Sequence, residues 1–133
     1  MIYSIEECEL VHNKEFKYFI LYINGKCQFN DFLHLIKQSK KEDQKAMNSL
    51  IALMDAYSKN ILLPRKKFNT THVTPARDDV FEFKKDHLRI YVVIQDPYVY
   101  IVMDGYKNNQ KKDIATLGQR LKGFNTNYQH EKI

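Results

Sequence analysis

The stretch FEFKKDHLRIYVVIQDPYVYIVMDGYKNNQKK, residues 81–112, decides how this chain folds. At its start Phe81 and Phe83 fall on one face and Glu82 and Lys84 on the other, the period of a strand. Asp86-His87 can turn the chain. Residues 89–95 and 98–103 then form a strand pair around Asp96-Pro97. Both are apolar on each face, which places them mid-sheet. Proline suits the second central position of a two-residue turn poorly, so a longer loop is expected there. Asp104-Gly105 marks a turn or bulge, and the lysine-rich YKNNQKK leads out of the sheet.

Upstream, FKYFILYI at residues 16–23 is another strand, bounded by Asn24-Gly25. Its apolar run is nearly continuous, as in a strand covered on both faces. Residues 31–38 read as a helix, with Phe32, Leu33, Leu35 and Ile36 at helical spacing and Asn30 as its cap. Ser39, with Glu42 three residues on, is a capping-box signature for a second helix to about Ser58. Ala46, Met47, Leu50, Ile51, Met54 and Tyr57 form its apolar stripe. Residues 60–79 read as a loop with at most a short extended piece, because Pro64 and Pro75 oppose helix. Downstream, Ile114, Leu117 and Leu121 stripe a last helix at about residues 112–122, which Gly123 ends. Residues 125–133 are a polar tail.

The order is therefore strand, helix, helix, three strands, helix. It describes an α+β fold: a small, largely antiparallel sheet with helices on one side. With 133 residues the chain is one domain, its core at about residues 16–124.

The net charge of +5 and a pI of about 9.1 favour an anionic partner. The excess concentrates at Lys59, Arg65, Lys66, Lys67, Arg77, Lys84, Lys85, Arg89, Lys107, Lys111 and Lys112, whereas the first fifteen residues are acidic. The two cysteines, Cys8 and Cys27, lack metal-ligand spacing and read as reduced thiols. Neither a signal peptide nor a membrane span is evident, so a cytoplasmic location is expected, with no membrane partner. The five histidines show no ligand spacing, and no phosphate loop, GxSxG, HExxH or CxxC occurs. Neither metal nor cofactor is expected.

What remains is arginine, lysine, tyrosine and histidine near one sheet. That set suits metal-free cleavage of RNA, whose 2′-hydroxyl is its own nucleophile. Fixed cations stabilise the phosphorane, and a side chain of tuned pKa moves the protons. It is one option among several. Arg89 can equally pair with Glu82 or Asp104 across strands, and His87 can be a plain turn residue.

The layout resembles the RelE/ParE superfamily of toxin–antitoxin toxins, closest to its HigB-like, phage-derived branch. The resemblance rests on FNDFLHLIKQ at residues 29–38, FEFKKDHLRIYVV at 81–93, and VMDGYKNNQKK at 102–112 followed by IATLGQRL. It spans about residues 16–124. It implies a RelE-like fold and a toxin, a ribosome-dependent mRNA endonuclease held inactive by a small helix-turn-helix antitoxin. Arg89 would set its guanidinium against the scissile phosphate. Tyr106, Lys107 and Lys111 would complete the catalytic set, and Lys84, Lys85, Arg65, Lys66, Lys67 and Lys112 would contact RNA. The family's His before Gly is Asp104 here, and Asn108-Asn109 replace its lysine pair. These departures define the alternative, a catalytically silent RNA- or protein-binding module on the same scaffold.

Overall fold

The computed structural model describes residues 2–11, 15–73 and 77–124. Pro75 and the tail at 125–133 lie outside them. The elements, in order, are β1 (Tyr3–Glu7), β2 (Lys17–Ile23), α1 (Gln28–Lys37), α2 (Lys41–Ser58), β3 (Phe68–Thr70), β4 (Val80–Lys85), β5 (Leu88–Gln95), β6 (Tyr98–Tyr106) and α3 (Gln110–Arg120). A single 3₁₀ turn, Lys107–Asn109, joins β6 to α3. The fold is α+β. Its sheet has six strands in the order β1-β2-β6-β5-β4-β3. It is mixed: β2 and β6 run parallel, and the other neighbouring pairs run antiparallel.

The helices do not share one side, contrary to expectation. α1 and α2 cover one face, where Phe29, Phe32, Leu50 and Met54 pack on Tyr18, Ile20, Ile90, Val92 and Ile101. α3 covers the other, where Leu117 and Leu121 pack with Phe19, Leu21, Tyr91, Val93 and Tyr100. The reason lies in β2, β5 and β6, which are apolar at odd and even positions alike. A strand of that kind exposes about 1.5–3 kcal/mol of unburied hydrophobe per large side chain unless both faces are covered.

Several local expectations shift for identifiable reasons. α1 begins at Gln28 because Phe29 is fully buried, and its cap is the Cys27 sulfur, which accepts from the Asn30 N–H. Leu35 is consequently on the outer face, 53 % exposed. The Ser39 capping box does not form. Ser39 Oγ instead donates to the Leu35 carbonyl and closes α1, and α2 starts after Lys40 without a side-chain cap. The 95–98 connection is a two-residue loop, not a longer one, with a cis Asp96–Pro97 peptide. β6 runs through Asp104-Gly105 to Tyr106, so that pair neither turns the chain nor bulges. The register shift lies earlier, with Tyr91 opposite Met103 and Val92 opposite Ile101. β1 and β3 are the edge strands: β3 is a short extended piece of the kind allowed within residues 60–79, whereas β1 is unexpected, because its acidic side chains mask the alternation.

The C-terminal end of α3 is pinned from two directions. Tyr3 Oη lies 2.7 Å from the carbonyls of both Arg120 and Lys122. Arg77 Nη1 donates to the carbonyls of Leu121 and Phe124 while its other nitrogens bind Asp79. At the other end Gln110 Nε2 donates to Glu82 Oε2 on β4 at 2.7 Å. The Asp113 carboxylate occupies the space a side chain at Gly105 would need: a Cβ there would lie 2.0 Å from Asp113 Oδ2. Gly105→Ala is therefore expected to destabilise the fold by about 1–3 kcal/mol, the usual range for overpacking. Adding Asp113→Ala should recover most of that loss. Urea denaturation of the four proteins in this cycle measures the coupling, and additive effects would refute the contact.

Candidate functional site

β4 and β5 are joined by a two-residue turn, Asp86-His87, between the paired Lys85 and Leu88. Asp86 takes a positive φ of 53°, which lets so short a loop follow the twist of the strands. The turn is clamped from three sides. Arg89 Nη1 donates to the carbonyls of Asp86 at 2.9 Å and Leu88 at 2.8 Å, on either side of His87. The Lys107 N–H donates to the His87 carbonyl at 2.7 Å. The imidazole then meets α2: His87 Nε2 lies 2.5 Å from Asp43 Oδ1. The carboxylate accepts, so Nε2 carries a proton, and in the neutral ring Nδ1 keeps its lone pair.

Asp43 lies in the first turn of α2, where the helix dipole favours a negative charge. Its side chain is 11 % exposed, that of His87 45 %. Solvent thus reaches the imidazole while the group that orients it stays covered. The His87 ring stacks on Tyr106 with centroids 5.7 Å apart and planes 11° from parallel. Tyr106 in turn packs on Phe32 of α1. Burial, and secondarily the Asp43 charge, raises the Tyr106 pKa, so its phenol stays protonated. His87, Tyr106, Lys107, Asn108 and Asn109 line an open cleft of about 620 Å³.

The residues expected in a site are distributed unevenly. Tyr106 and Lys107 share this cleft. Arg89 does not reach it. It is 6 % exposed, and its neighbours in the ladder, Lys84 and Gly105, put it on the α3 face, whereas Leu88 and Tyr106 mark the opposite one. Its guanidinium serves the turn carbonyls and not an acid: the Glu82 carboxylate is bound by Asn69 and Gln110. Arg65 and Lys84 line a second cleft, beside β3. Lys85 ends β4 on the face of Tyr106. Lys66, Lys67, Lys111 and Lys112 line neither cleft.

Asp104 is 1 % exposed with both oxygens unpartnered. Burial raises its pKa well above the ordinary carboxylate value, which favours the protonated acid, and the side chain does not line the cleft. Gln28 holds its backbone, donating to the Asp104 carbonyl and accepting from its N–H.

Sequence reasoning left His87 as a turn residue and passed over Asp43. Their contact joins positions 44 residues apart, and no local spacing encodes it. The usable signal was weaker: an exposed histidine at a hairpin tip, and an acid in a helix's first turn. Among the described residues, no three His, Cys, Asp or Glu side chains cluster as a metal site, and no helix is long and apolar enough to cross a membrane. No protein-family model matches the chain, and no curated protein matches it.

Proposed function

We propose that this protein is a metal-independent endoribonuclease of the toxin type, acting on ribosome-bound mRNA in the cytoplasm and restrained by a small helix-turn-helix antitoxin. One observation carries the chemistry: an exposed imidazole oriented by a covered carboxylate, in a cleft with a protonated phenol and a lysine. His87 Nδ1 takes the proton of the 2′-hydroxyl, which attacks the adjacent phosphorus. The Lys107 ammonium offsets the charge that gathers on the phosphorane oxygens. Tyr106 donates a proton to the departing 5′-oxygen, leaving a 2′,3′-cyclic phosphate. The element order, two strands and a helical pair before a meander and a last helix, supports a RelE-like scaffold. In this reading the catalytic weight moves from Arg89 to His87, and Arg89 becomes the brace of the turn that presents it.

The experiment is induced expression in a bacterium, with translation and mRNA ends followed over time. Growth should stop and cut messages accumulate. Unimpaired growth at high soluble expression would count against the proposal.

A second reading, a silent RNA- or protein-binding module, is favoured by the burial of Asp104 and by the absence of the lysine pair at Asn108-Asn109. It expects salt-dependent RNA binding without cleavage.

A further inference from the structure

A column of aromatic rings runs under β3 and ends at the surface. Tyr57 and Phe68 lie 4.8 Å apart, and Phe68 stacks on Phe81 at 5.4 Å with planes within 5°. Phe81 is half-buried, and with Phe68 it lines an open cleft of about 630 Å³. Arg65, His72 and Lys84 stand around the same cleft. Neither Arg65 nor Lys84 forms an ion pair among the described residues, so both cations are free for an outside anion. Lys84 is followed directly by Lys85 and the turn that carries His87, so one hairpin supplies a residue to this cleft and one to the candidate active site.

We infer that this cleft is a subsite for single-stranded RNA, in which one base extends the aromatic column by stacking on Phe81 while Arg65 and Lys84 hold the flanking phosphates. It rests on the ribonuclease reading above for its choice of RNA. Flat apolar rings next to unpaired cations are the pairing that unstacked nucleotides require.

An edge strand also invites an added peptide strand, but β3 is poorly prepared for one. Its bonds to β4 run through Lys67 and Thr71, so the outward-facing groups belong to Phe68 and Thr70. The Phe68 N–H already donates to the Pro64 carbonyl. The Thr70 carbonyl already accepts from Asn69 Nδ2. Half of the ladder that a peptide would use is therefore occupied.

The test is fluorescence anisotropy with a short, labelled single-stranded RNA of mixed sequence carrying 2′-O-methyl sugars, which binds but cannot be cut. Phe81→Leu should weaken binding at least about fivefold, the lower end for one base–aromatic stack, and Phe81→Trp should restore it. Arg65→Gln with Lys84→Gln, which needs no repacking, should lower the salt slope by about 0.7 for each lost phosphate contact. Binding that ignores both sets of variants overturns the subsite. So does a loss that Phe81→Trp fails to rescue, or an oligoglutamate peptide binding here in preference to RNA. The two proposals fail separately. RNA held through Phe81 but never cut in its unmodified form removes the nuclease and keeps the subsite. Cleavage by a chain whose Phe81 variants bind like the parent does the reverse.

Discussion

His87→Ala is expected to reduce RNA cleavage by about 10²–10⁴-fold, the range for losing one positioned general base or acid. The appearance of 2′,3′-cyclic phosphate ends on ribosome-bound mRNA measures it. The side chain sits at a hairpin tip and is 45 % exposed, so the fold should tolerate its loss and the defect should be one of rate. Asp43→Asn tests the same unit from behind. An amide at that position still meets Nε2, but it no longer enforces the proton there, so the population of the useful tautomer falls. The double variant should be no worse than His87→Ala alone, because Asp43 acts only through the ring it orients. Cleavage at the parent rate by His87→Ala would end the assignment.

Arg89 separates two accounts of this site. As a phosphate ligand it would act on substrate, and its loss would slow cleavage in a folded protein. Its observed bonds are to the carbonyls of Asp86 and Leu88. Removing it takes a charged donor from the part-buried contact at Asp86 and the buried contact at Leu88, and a hydrogen bond to a charged group contributes about 1.5–3 kcal/mol. Arg89→Met should therefore lower the thermal midpoint along with activity. A large loss of activity at unchanged stability would return Arg89 to the substrate.

The sheet was legible wherever the chain's own pattern was loud. The apolar runs of β2, β5 and β6 declared central strands, and the stripe from Ala46 to Tyr57 declared α2. The same runs also implied a cover on each face, an implication that the expectation of one-sided helices overlooked. β1 was obscured by its glutamates, and β3, three residues long, was legible only as a short extended piece in a loop. The site was harder to read for a different reason. Tyr106 and Lys107 are neighbours in sequence and could be found together. His87 and Asp43 meet only because α2 lies across the end of the β4–β5 hairpin. Arg89 carries a charge that suggested catalysis, yet the alternation of β5 turns it to the face away from the cleft.

Asp104→Asn is expected to leave the protein more stable than its parent at neutral and alkaline pH, with a margin that widens as pH rises. In the folded chain the carboxyl has no hydrogen-bond partner for either oxygen, and the Gln28 amide is engaged with the Asp104 backbone. Burial alone raises its pKa well above 3.8. The folded state consequently keeps a proton that the unfolded chain releases once pH exceeds the ordinary carboxylate value. Where the native state binds more protons, stability falls with pH. The contribution is intact below about pH 3.8 and declines above it, by at most about 1.4 kcal/mol per pH unit for one proton, until the folded pKa is reached. Asparagine keeps the shape and has no proton to lose. Subtracting the two stability curves, from urea midpoints between pH 4 and pH 9, removes every other titrating group and isolates Asp104. A flat difference would mean that the carboxyl ionises in place with a partner. A difference that grows with pH would identify this buried acid as a cost to the fold, one that more alkaline conditions increase.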